Sequence, residues 1–148
     1  MIEKIYIPTA KRENNQITYE NMPEELQKRV IMVLRPEDRP LYKYDCEYLV
    51  VPDEMVGTWT ELAQTRKLIH KHAGNIKYAM IDDDIVINRR NAKYWTGVSN
   101  MDKSRRKATK DEISLMYEQV SKWLDEPDIG IVGLSAPDVP PSDKEYHD

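Results

Sequence analysis

At 148 residues the chain has the length of one ordinary domain, enough to bury an independent core. A net charge of −4 and a pI near 5.5 exclude a wholly basic nucleic-acid binder, and 40% hydrophobic residues beside 32% charged ones exclude a disordered tail. The single Cys46 excludes an intramolecular disulfide framework and a multi-cysteine zinc site, and the longest apolar run, Val30 to Leu34, is far too short to span a membrane.

The chain enters a strand pattern at once, without the apolar stretch of a signal peptide, so a cytoplasmic protein is expected. Ile5 to Ile7 begin the first strand, which Pro8 ends. Residues 23 to 29 read as a short helix with Pro23 in its first turn. Val30 to Leu34 is a continuous apolar run, as in a strand buried on both faces, and Tyr48 to Val51 is another. Residues 59 to 73 predict a helix that packs through Trp59, Leu62, Ala63, Ile69 and Ala73, with Gly74 as its stop. Tyr78 to Ile81 is a fourth strand, and a long polar stretch runs from Asn88 to about Thr109. Thr109-Lys-Asp-Glu112 has the spacing of a capping box, and Ile113, Met116, Tyr117, Val120 and Leu124 follow at helical spacing up to Pro127. Ile129 to Leu134 predicts a fifth strand, and 137–148 a loop-like acidic tail.

This alternation predicts an α/β sandwich, Rossmann-like, with a mostly parallel central sheet in one domain over residues 1–136. Ligands of such sheets bind beyond the carboxyl ends of strands, here just after Ile7, Leu34, Val51, Ile81 or Leu134. Asp82-Asp83-Asp84 occupies one of those places. Adjacent carboxylates repel one another, and a divalent cation relieves the repulsion. Along an extended chain Asp82 and Asp84 point to the same side, an arrangement suited to one hard ion, Mg²⁺ or Mn²⁺, that also takes phosphate oxygens. The alternative is a solvated acidic turn. A calcium loop is excluded, since Val86 and Ile87 stand where an oxygen ligand and a glycine are needed. A haloacid-dehalogenase-type phosphatase fits Asp82 to Val86 and Ser135, but its nucleophile strand normally opens the fold, whereas here about eighty residues precede the motif.

Three ordered segments resemble the nucleotide-sugar-dependent glycosyltransferases of the GT-A fold: Ile5 to Arg12, with its Ile-Pro-Thr; Gly57 to Ala73, with Arg66; and Tyr78 to Asp84, with an Asp-x-Asp motif. The resemblance covers roughly residues 3 to 90. It implies that Pro8, Thr9 and Arg12 border the nucleoside and that Asp53 lies near the base. Arg66 would face the base or the diphosphate, Asp82 the ribose, and Asp83 would support them. Asp84, with Asp82, would hold Mn²⁺ or Mg²⁺ on the diphosphate of a nucleoside-diphosphate sugar, a UDP-sugar by default in that family. The resemblance assigns no catalytic base: only 64 residues follow Asp84, and Asp138, Asp143 and Glu145 are all available, with His147 a late metal ligand or a solvated residue. A non-catalytic nucleotide- or DNA-binding module that keeps the donor half of the fold is the other reading.

Residues 89 to 110 carry Arg89, Arg90, Lys93, Lys103, Arg105, Arg106, Lys107 and Lys110 against the one acid Asp102, a local charge of +7 in a chain of −4. Tyr94 and Trp95 lie among them and have the ring faces that stack on bases. Two readings stand. In one, Arg89, Arg90, Lys93, Arg105, Arg106 and Lys107 contact DNA that carries a hydroxylated base. The small phage glycosyltransferases that this layout resembles modify such DNA, in which case the compartment is the host cytoplasm. In the other, the segment is a solvated loop that closes over the donor diphosphate.

Overall fold

The computed structural model describes residues 1–90 and 105–134. Four strands, β1 (Lys4–Pro8), β2 (Val30–Leu34), β3 (Glu47–Val50) and β4 (Tyr78–Met80), form one sheet in the order β3-β2-β1-β4. All three pairings are parallel, with Ile5 opposite Val30 and Ala79, and Ile31 opposite Glu47. Parallel neighbours need crossovers; two of them are helical, and the one from β2 to β3 carries only a 3-10 turn, Arg39–Leu41. Between β1 and β2 lie α1 (Ile17–Asn21) and α2 (Glu24–Gln27); between β3 and β4 lies α3 (Glu61–Ala73). The chain continues through an antiparallel pair, β5 (Asn88–Arg90) and β6 (Arg105–Lys107), into α4 (Lys110–Trp123). Among the described residues no helix is long and apolar enough to cross a membrane.

Period-2 alternation divides the core between the two faces of the sheet. Ile5, Ile7, Val30, Met32 and Leu34 pack with Tyr19, Met22 and Leu26 and with Ile113 and Tyr117 of α4. Tyr6, Ile31 and Val33 face the other way, onto Ile69 and Ala73 of α3. The result is the expected Rossmann-like three-layer α/β/α arrangement with an all-parallel main sheet. The helix boundaries follow local chemistry. Gly74 ends α3 at φ +60°, donating its N–H to the His70 carbonyl at 3.1 Å. At α4 the capping box is complete: Thr109 Oγ1 accepts from the Glu112 N–H, and Glu112 Oε2 accepts from the Thr109 N–H at 3.0 Å.

Four expectations change. β2 is buried throughout, but among the described residues β3 is an edge strand paired only with β2, and its Val50 is 40% exposed. α3 packs through Thr65, Ile69 and Ala73, one residue per turn, while Trp59 precedes the helix and is 97% exposed, as Leu62 is 60%. Residues 129–134 form no strand, and Ile131 is 91% exposed. Two glycines in that short run remove the side chains that would pack and make ordering costlier. The polar stretch after Ile87 carries no predicted element, yet its described ends pair as β5 and β6.

Candidate functional site

Strand order reverses direction between β1 and β4, and the crevice beyond the carboxyl ends of strands at such a point is where this class of sheet binds ligands. A cleft of about 580 Å³ lies there. Pro8, Thr9 and Arg12 line it from the β1 end, Arg35 from the β2 end, and Asp82, Asp83 and Asp84 from the β4 end. Thr58, Trp59, Glu61, Leu62 and Thr65 line it from the start of α3.

The three aspartates differ in environment. Asp82 and Asp84 are exposed to the cleft, whereas Asp83 is only 8% exposed. Asp83 turns into the loop after β1, where its Oδ2 accepts from Thr9 Oγ1 at 2.6 Å and lies 3.7 Å from Arg12 Nε. Thr9 has one proton and gives it to Asp83, so its lone pairs accept from Gln16 Nε2 at 2.7 Å and from the Tyr42 hydroxyl at 3.0 Å. The Tyr42 oxygen in turn accepts from the Arg12 N–H at 2.9 Å. Arg12 is thereby fixed at its backbone, and its guanidinium reaches Asp84 Oδ2 at 3.2 Å. From the other side Thr18 holds the acidic turn. Its N–H donates to the Asp83 carbonyl at 3.0 Å, its hydroxyl donates to the Asp82 carbonyl at 2.6 Å, and Ile85 N–H donates back to that hydroxyl at 2.8 Å.

A second ion pair closes the opposite end of the cleft. Arg35 grips Glu61 with both arms of its fork, at 2.7 and 2.9 Å. That contact holds the Glu61 carboxyl below the usual carboxylate range, with help from the Gly57 N–H, which donates to it at 2.8 Å.

The structure thus brings together Pro8, Thr9, Arg12 and the three aspartates. Asp53 sits in an exposed turn after β3 and Arg66 is exposed on α3; neither lines the cleft. Of the basic residues, Arg89 and Arg106 both pair with Glu112, at 2.5 and 2.6 Å, and Lys107 bonds Asn21. Glu112 is held well below the ordinary carboxylate range, chiefly by Arg106, then by the Thr109 N–H and Arg89. Arg90 and Arg105 stand opposite each other in the β5–β6 register. Lys93, Tyr94, Trp95, Asp102, Lys103, Ser135, Asp138, Asp143, Glu145 and His147 lie outside the described residues.

Sequence reasoning missed Arg35, Glu61, Gln16, Thr18 and Tyr42. Arg35 carried a signal, since it directly follows Leu34 at one of the strand ends where ligands bind. Thr18 and Tyr42 carried none, because their partners lie 64 and 33 positions away; Gln16 bonds Thr9 only seven positions away, but no helix or strand pattern marks that contact. Among the described residues no three His, Cys, Asp or Glu side chains form a metal cage of their own.

The model of one family, described as TET-Associated Glycosyltransferase, matches residues 3–138. No curated protein and no solved structure matches the chain.

Proposed function

The chain belongs to the TET-associated glycosyltransferase family, and on that premise we propose that it transfers its sugar from a nucleoside-diphosphate donor, a UDP-sugar by default, with the help of Mn²⁺ or Mg²⁺ and in the manner of the GT-A fold. The observation that carries this reading is the cleft itself. At the switch point of a parallel sheet, the exposed carboxylates of Asp82 and Asp84 line one cleft with Arg12, whose guanidinium lies 3.2 Å from Asp84.

The residues fit a hard cation. Such an ion takes one or two carboxylates and leaves its other positions to phosphate oxygens and water, so the lack of a three-residue cage among the described residues agrees with it. Asp84 and Asp82 would hold the ion, which when bound neutralises charge developing on the leaving diphosphate. The chain's own groups do the rest. Arg12, anchored through Tyr42 and Asp83, sets a second positive charge at the same end of the cleft. Thr9 and Thr18 keep the acidic turn in place, so little reorganisation is needed at the moment of transfer.

The proposed acceptor is a hydroxyl on a modified DNA base. Support comes from the basic segment that follows the acidic turn; Arg89 and Arg106 pair with Glu112 yet keep 64% and 54% of their side-chain surface in solvent, open to phosphates.

The test is thermal melting with a panel of nucleoside diphosphates, each with and without Mn²⁺, on the parent and on Asp84→Asn, followed by sugar transfer to hydroxymethylated DNA. A stabilisation that needs one nucleotide together with the metal is expected in the parent and not in Asp84→Asn. Transfer by Asp84→Asn should fall about 100-fold. Unchanged transfer in the variant would remove the metal role, and donor binding without transfer to any acceptor would make the chain a binding module.

A further inference from the structure

The cleft has two chemically distinct ends, and only one of them suits a diphosphate. The end at β1 and β4 is charged: Arg12, Asp82 and Asp84. The end at β2, β3 and α3 carries Val51, Leu62 and Trp59 around the Arg35–Glu61 pair. Trp59 is almost wholly in solvent, so it contributes little to the core. An indole left out of the core at the lip of a ligand cleft offers a flat apolar face to a planar ring.

The backbone that carries Trp59 is tied down. Glu61 accepts from the Gly57 N–H and is itself clamped by Arg35 at the end of β2. Thr58 donates its hydroxyl proton to the Met55 carbonyl at 2.9 Å, and Gln64 Nε2 donates to Thr60 Oγ1. Gly57 takes φ +73°, which a side chain would strain. The anchored turn removes the backbone share of the ordering cost when a ligand stacks on the ring.

We infer that Trp59 is the stacking platform for the nucleobase of the donor and that the Arg35–Glu61 pair is a positioning device for it. The inference rests on the donor reading above. With the diphosphate at the charged end, the base extends toward β2 and β3 and meets Trp59. The sugar then projects past β4, the strand after which the chain runs on through the acidic turn to the basic β5–β6 pair. Arg35 and Glu61 act through the turn and touch no reacting atom.

Titration calorimetry on the full chain tests this. The ligands are the nucleoside diphosphates and inorganic pyrophosphate, all with Mn²⁺; the proteins are the parent, Trp59→Ala, Trp59→Phe and Glu61→Gln. Trp59→Ala should lose about tenfold in affinity for the preferred nucleoside diphosphate, keep its affinity for pyrophosphate and melt like the parent. Trp59→Phe should recover part of the loss. Glu61→Gln should weaken nucleotide but not pyrophosphate binding. Equal nucleotide affinity in Trp59→Ala and the parent would overturn the inference and leave the donor reading standing. So would an equal loss for pyrophosphate, or normal nucleotide binding with loss only of DNA binding, which would give the ring to the acceptor. A parent that binds no nucleoside diphosphate would overturn both.

Discussion

Thr9 is the residue on which the site turns. Its hydroxyl has one donor and two acceptor positions, and all three are used, by Asp83, Gln16 and Tyr42. Thr9→Val keeps the shape and deletes every one of these bonds. Asp83 would then be a buried carboxylate with only Arg12 nearby, and the Gln16 amide would lose one of its two acceptors. A cost of about 2 kcal/mol is expected, read as a fall of about 5 °C in Tm. Because Arg12 is anchored through Tyr42 and Asp83, nucleotide binding should weaken in the same variant. A Tm within about 1 °C of the parent would mean that water replaces the lost partners at little cost.

At the scale of an element, α4 joins the basic strands to the core. Its buried face, Ile113 and Tyr117, packs against the sheet, while its first turn presents Glu112 to Arg89 of β5 and Arg106 of β6. Arg89 and Arg106 stand directly opposite in the register, a like-charge pair that is unfavourable unless an anion lies between. Glu112 is that anion. Its carboxyl titrates below its ordinary value of 4.5 in the folded chain, so its contribution to stability is complete above that value and fades as the pH falls below it. The gap in urea midpoint between the parent and Glu112→Gln should therefore be widest near neutral pH and shrink progressively below about pH 4.5. A gap that stays constant with pH would assign the effect of Glu112 to packing.

For the molecule as a whole, charge is unevenly placed: residues 89 to 110 carry +7 within a chain of −4. If DNA is the acceptor, its binding should weaken steeply with salt, each phosphate contact adding about 0.9 to the logarithmic slope. Replacing Lys107 by Ala should lower the slope by about one while weakening all sequences alike. Filter binding or fluorescence anisotropy between low and physiological salt reads this directly, and a flat salt dependence would exclude a DNA acceptor.

Local order was legible in the sequence because its causes are local. A continuous apolar run marks β2, the Thr109–Glu112 spacing marks a helix start, Gly74 marks a stop, and the aspartates follow a strand end where ligands bind. The α/β class follows from the alternation of such signals. The tertiary structure decided what depends on neighbours. It set Asp83 against Thr9, 74 positions away, and Arg35 against Glu61, 26 away. It made Tyr48 to Val50 part of an edge strand, left residues 129–134 outside the described sheet, and placed Trp59 on the cleft instead of in the core. Which apolar run is central and which carboxylate is shielded depends on the order of strands in the sheet. That order comes from packing between segments far apart in the chain, which no short window of sequence contains.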